Sequence, residues 1–270
     1  MSTLFATIAA ALYLAATIRY QRSLYTRPES GEESASQQGR GFVVAAFLAQ
    51  LVSLYAAGRE MHACPLNLAQ SLNLICCAMV GLYLVVSTIW KMEVVGAFAA
   101  PAATLVMMGS LATEHLRAPV TNLRDPLLTL HVAAIVLGYA AFLLASIVAA
   151  LYFLQTFLLK RKYVTGLGKK LPSLDNLDQV TYRLIAVGFL PMIAGIVLGY
   201  LRVASQGGRF WSVDVMLGIF TVLIYAVYIS ARTVGGWGGR RVNGLLLLGF
   251  FFLIATYVGV GLPSGVHAPK

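Results

Sequence analysis

Apolar residues in this chain fall into eight long runs separated by short polar connections. The runs cover approximately Ser2–Ile18, Gly41–Ala57, Leu68–Ile89, Val94–Leu111, Leu127–Leu159, Leu184–Val203, Val213–Ala231 and Val242–Leu262. Each approaches or exceeds the roughly 20 residues that an α-helix needs to cross a hydrocarbon core. Each reads as a helix, because lipid tolerates only structures that satisfy their own backbone hydrogen bonds. The alternating ten-residue segments of a membrane β-barrel do not occur. The fifth run is longer than a bilayer requires, so tilt or projection into water is expected. Ser2–Ile18 has no basic stretch before it and reads as a first span, not a cleaved signal peptide. Between the first two runs, the polar Pro28–Gln38 reads as part of a mobile cytoplasmic loop over residues 19–40. The expected fold is all-α: a polytopic membrane protein of about eight transmembrane helices, forming a single membrane domain over residues 1–270.

Composition agrees with the pattern. Apolar residues make up 59% of the 270 and charged residues 11%, where a soluble domain carries about 25% charged. No room remains for a large extramembrane catalytic domain. The formal net charge of +10 does not point to nucleic acid, because the basic residues cluster between apolar runs with few aromatics among them. They read as a topology signal instead. Of the 20 Lys and Arg, 14 fall in the first, third, fifth and seventh connections and 6 on the other side. The richer side is expected to be cytoplasmic, which puts both termini outside. The lipid bilayer is the first partner. The cysteines are Cys64, Cys76 and Cys77, without CxxC or CxxCH, which argues against a zinc cage and against covalent haem attachment. Cys76 and Cys77 lie inside an apolar run and read as small core residues.

The four histidines, His62, His115, His131 and His267, all fall on the outward side or at outer span ends. His62 and His115 sit in hydrophilic stretches and read first as solvated loop residues. His131 differs. It lies near the start of an otherwise apolar helix, where an imidazole loses hydration and needs a backbone carbonyl, a polar side chain or a metal centre in compensation. A second outward feature is the loop Ser205-Gln206-Gly207-Gly208-Arg209-Phe210-Trp211-Ser212-Val213-Asp214. Paired glycines permit close approach, and Phe210 with Trp211 offers a flat apolar surface. Taken alone, Asp214 reads as a helix cap and Trp211 as an interfacial anchor.

The order of these features resembles a known family: His near a helix start, a later outward loop with Trp-Ser-x-Asp, then a terminal apolar span followed by His. Further stretches fit. They are Pro65-Leu66 with Ser71-Leu72, then Leu171-Pro172-Ser173-Leu174-Asp175 with Tyr182-Arg183 and Gly188-Phe189, and Gly236-Trp237-Gly238-Gly239-Arg240-Arg241 with Gly249-Phe250. Over residues 65–270 the chain is similar to the cytochrome c assembly protein family, the CcsA, CcmC and HemX group.

That resemblance implies haem b, bound non-covalently at the outward face. His131 and His267 are implied as axial ligands; His62, also outward and near the entry to the third span, is the alternative second ligand by its position. Phe210 and Trp211 would pack on the porphyrin, beside Asp214, while Arg209, Arg202 or Arg124 would meet propionates. The chain departs from the family loop, with Gly207 and Val213 where tryptophans stand, and it has no histidine inside a span. It is therefore most similar to the small HemX-type members, and a role in binding or handling haem fits better than that of a self-contained catalyst. The function expected is a haem-handling or haem-sensing accessory to cytochrome c assembly or haem biosynthesis. One alternative is a regulatory interaction protein with a degenerate haem site, using the basic Lys160–Lys170 loop to meet a cytoplasmic haem-biosynthesis enzyme or other membrane assembly factors. The other is a small-solute permease, which the absence of charged mid-span residues disfavours.

Overall fold

The computed structural model describes residues 1–25, 32–60, 65–90, 92–114, 121–122, 125–161, 170–205 and 213–260. Among them run eight α-helices: α1 Ser2–Tyr25, α2 Glu32–Glu60, α3 Leu68–Ile89, α4 Gly96–Thr113, α5 Pro126–Lys160, α6 Leu174–Ser205, α7 Val213–Thr233 and α8 Arg240–Val260. A 3-10 turn, Glu93–Val95, leads into α4. Two-residue strands, β1 Pro65–Leu66 and β2 Thr121–Asn122, pair antiparallel with Pro65 opposite Asn122. By length and composition, seven of the described helices, α1 to α7, are able to cross a membrane. The eighth apolar run forms α8. The protein is an all-α, polytopic membrane protein.

One feature differs from the sequence expectation. Residues 19–25 belong to α1 and residues 32–40 to α2, so most of the segment expected as a loop is helical. The physical reason is local: Glu, Gln, Arg and Ala have good helix propensity, and polarity alone does not break a helix. Arg19 of α1 donates to Gln38 Oε1 of α2 at 3.2 Å. By its internal packing the chain divides into two compact units, residues 1–122 with 153–174 and residues 123–152 with 175–270. Hydropathy reports which segments enter lipid but not which helices pair with which.

In the first unit, α1 packs on α2 and α4, and α3 on α2 and α4. Ala6, Ala9, Tyr13, Ala16 and Tyr20 form the buried stripe of α1, and Val43, Ala46, Gln50, Ser53 and Ala57 that of α2. Alternating steps of three and four residues make each stripe a seam for near-antiparallel helices. Small residues let the backbones approach, and the larger polar ones pair across the seam as buried polar groups in lipid must. Tyr13 donates to Gln50 Oε1 at 2.7 Å, and Gln50 donates on to Asn73 Oδ1 at 2.9 Å. Cys76 is fully buried and Cys77 nearly so, in the small core roles read from the sequence. Lys170, at the end of the basic loop, donates to the Ser23 carbonyl at 2.8 Å and so completes the last turn of α1.

The second unit holds the start of α5, then α6, α7 and α8. Helices α5 and α6 run antiparallel with their backbones close. A Cβ at Gly188 would lie 2.7 Å from Ala141 Cβ, and one at Gly195 only 2.6 Å from Ile135 Cδ1. A side chain at either crossing would force its neighbour on α5 to shift. Phe142 of α5 stacks on Tyr225 of α7, ring centroids 3.8 Å apart, and α7 packs along α8.

Candidate functional site

His131 sits at the second turn of α5, at the Pro126 end of the glycine-lined seam with α6. Its Nδ1 lies 2.6 Å from the backbone oxygen of Gly195. A carbonyl only accepts, so Nδ1 carries the hydrogen and donates. In the neutral ring the lone pair then resides on Nε2. Of the three compensations open to an imidazole here, the structure contains the backbone carbonyl. Room for the ring comes from Gly199, where a Cβ would stand 2.9 Å from His131 Cε1 and 3.0 Å from Nδ1. Just beyond, Asp125 caps α5, accepting from the amide of Leu127 at 3.0 Å, and its other oxygen accepts from Arg202 Nε at 3.0 Å. One end of the second unit thus carries a held imidazole and an ion pair. A half-buried histidine with Nδ1–H committed to a carbonyl and Nε2 as acceptor is a donor set that fits iron ligation by Nε2.

The opposite end of the same unit holds a buried carboxylate. Asp178, 7% exposed, accepts through Oδ2 from Arg232 of α7. Its Oδ1 accepts from Asn243 Nδ2 of α8 at 2.8 Å and from the Gly239 amide at 3.2 Å. Gly236 and Gly239 have φ of +61° and +67°, the left-handed region in which glycine carries no steric penalty. They bend the α7–α8 connection so that an amide reaches the carboxylate. From Asp178 to Gly199 along α6 is about 32 Å at 1.5 Å per residue, roughly one hydrocarbon thickness. The two polar layers bracket the apolar middle of the unit.

This cluster was not foreseen from the sequence. It joins two stretches singled out there separately, the run leading into α6 and the Gly236–Arg241 segment. A signal was present: an acidic residue one helical turn after Asp175, facing the same way as the buried Leu177 and Thr181.

Of the remaining candidates, Arg202 is paired with Asp125 and so is committed within the protein. His267, Trp211, Phe210, Arg209 and Arg124 lie outside the described residues, as do His62 and His115. Asp214 lies in the first turn of α7, with its side chain outside them. Residues 162–169 of the basic loop are also outside.

Comparison with known proteins adds an independent line. The family described as Cytochrome C assembly protein matches residues 66–267. Among curated proteins, the cytochrome c biogenesis protein CcsA of Chlamydomonas reinhardtii is 29% identical over 216 residues, covering 75% of this chain and 59% of that protein. The protein of the same name from Prochlorococcus marinus (strain NATL1A) is 29% identical over 218 residues, covering 68% and 69%. That of Synechococcus sp. (strain CC9605) is 28% identical over 235 residues, covering 75% and 76%. The chain thus spans less than two thirds of the Chlamydomonas protein and somewhat more of the two cyanobacterial ones. No solved structure matches it.

Proposed function

Because this chain belongs to the cytochrome c assembly protein family, we propose that it serves cytochrome c assembly by holding haem non-covalently at the outward membrane face. The observation that carries this reading is the His131 Nδ1 donor bond to the Gly195 carbonyl. It holds the ring on a rigid helix with Nε2 as the acceptor nitrogen. Haem is the cargo here, of b type, because the chain has no CxxCH to bond it covalently. His131 supplies one axial nitrogen and His267 the second. Phe210 and Trp211 supply an apolar face for the porphyrin, and Arg209 a counter-charge for a propionate. The partners of such a protein are haem and other membrane assembly factors, and the membrane is a bacterial inner membrane.

Orientation is part of the proposal. With both termini outside, the His131 end of the second unit faces outward and the Asp178 end faces the cytoplasm. A reporter fused after Lys270 is expected to be active outside the cytoplasm, and one inserted between Arg161 and Lys170 active inside. The reverse pattern would move the candidate ligands to the wrong side.

Titration of the detergent-solubilised protein with haemin tests the binding itself. A Soret band saturating at one haem per chain is expected. Trp211→Ala should weaken uptake by roughly ten-fold, since stacking and burial of one aromatic ring contribute about 1–3 kcal/mol. Trp90→Ala, at the other interface, should leave uptake unchanged. Equal losses in both variants would reduce Trp211 to an anchor, and no Soret band at any haemin concentration would remove the haem reading.

A further inference from the structure

A histidine ligand is only as good as the group that holds its second nitrogen. The Gly195 carbonyl lies within α6, where the helical pattern already directs the Gly199 amide at it. It nevertheless receives His131 Nδ1 at 2.6 Å, a short contact for an N–H donor and a neutral oxygen. Two missing side chains make this possible. At Gly195 any Cβ would run into Ile135, with the Ile135 backbone nitrogen itself 3.3 Å away. At Gly199 any Cβ would press on the imidazole edge that carries Nδ1. The seam therefore does two separate things: the first glycine brings the helices together, and the second leaves the ring free to reach the carbonyl.

We propose that Gly195 and Gly199 are positioning residues for the haem site, fixing His131 as the Nδ1–H tautomer and strengthening Nε2 as an iron donor. This rests on the haem reading above and deepens it. Donation from Nδ1–H to an acceptor raises electron density on the ring, as outer-shell partners of metal-bound histidines generally do. A stronger donor favours the ferric over the ferrous state, which lowers the reduction potential of the bound haem. Gly199 is the residue that discriminates this role from mere helix packing, because a methyl group there meets the imidazole and not the α5 backbone.

The test uses the full chain in lipid nanodiscs with 15N-labelled histidine. Only four imidazoles contribute, and the resonances lost in His131→Gln identify the one of interest. Wild type is expected to show His131 as Nδ1–H before any haemin is added. Gly199→Ala should shift it toward the Nε2–H form, weaken haemin binding about ten-fold or more, and raise the haem reduction potential. Gly244→Ala, where a Cβ meets nothing within 4 Å, should change none of these. A wild-type His131 in the Nε2–H form overturns the proposal, and that measurement decides even if Gly199→Ala does not fold. A Gly199→Ala protein with unaltered tautomer, affinity and potential also overturns it. If wild type shows Nδ1–H yet takes up no haemin, the haem reading itself fails, and the hydrogen bond is left as a tie between two helices.

Discussion

Asp178→Ala is expected to destabilise the second unit by about 3–5 kcal/mol, because it strands the Arg232 guanidinium in a poorly hydrated place. The side chains of the pair are 18% and 10% exposed, so solvent does little to screen what is lost. Three elements lose a common anchor at once: α6 through Asp178 itself, α7 through Arg232, and the start of α8 through Asn243 and the Gly239 amide. Arg232→Met should cost a similar amount, for it leaves the carboxylate with two neutral donors and no cation. Together, Asp178→Leu and Arg232→Met should recover most of the loss, since a well-packed apolar pair of similar volume is often as stable as a buried ion pair. Thermal unfolding followed by circular dichroism in detergent reads all three. A double variant as unstable as the sum of the singles would mean that the cluster acts through something other than its charges.

The second large effect concerns the haem iron. If His131 and His267 both ligate haem as proposed, its iron would be six-coordinate and low-spin. His267→Ala is expected to convert it to a five-coordinate, high-spin form, visible as a displaced Soret band, and added imidazole should restore the original spectrum. Should His267→Ala leave the spectrum unchanged while His62→Ala converts it, the second ligand is His62. Should neither variant alter it, the family's second ligand position does not transfer to this chain.

How much of this was legible beforehand differs between fold and site. Apolar runs delimit helices well where the helix is apolar to its ends: Leu68–Ile89 is a run and a helix with the same bounds. They fail where polar residues are helical. The run beginning at Leu184 belongs to a helix that starts at Leu174, because Asp175, Asn176 and Asp178 hide the first turns from any hydropathy reading. The same failure concealed the Asp178 cluster. The α5–α6 register has a faint signature in the spacing of Gly188, Gly195 and Gly199, with steps of seven and four that keep one face. His131 was identifiable as an imidazole in need of a partner, yet its partner was not. A backbone carbonyl carries no residue identity, so no sequence pattern announces it. His267 and Trp211 are legible only through the order of motifs that the chain shares with its family.

The most direct test of the account is the electron paramagnetic resonance spectrum of the haemin-loaded protein compared with that of His131→Gly. Wild type is predicted to give a low-spin ferric signal. His131→Gly should lose it in favour of a high-spin signal and regain it when imidazole is added to fill the space beside the Gly195 carbonyl. A His131→Gly protein that keeps the wild-type low-spin signal without added imidazole would contradict the assignment of His131 as a haem ligand.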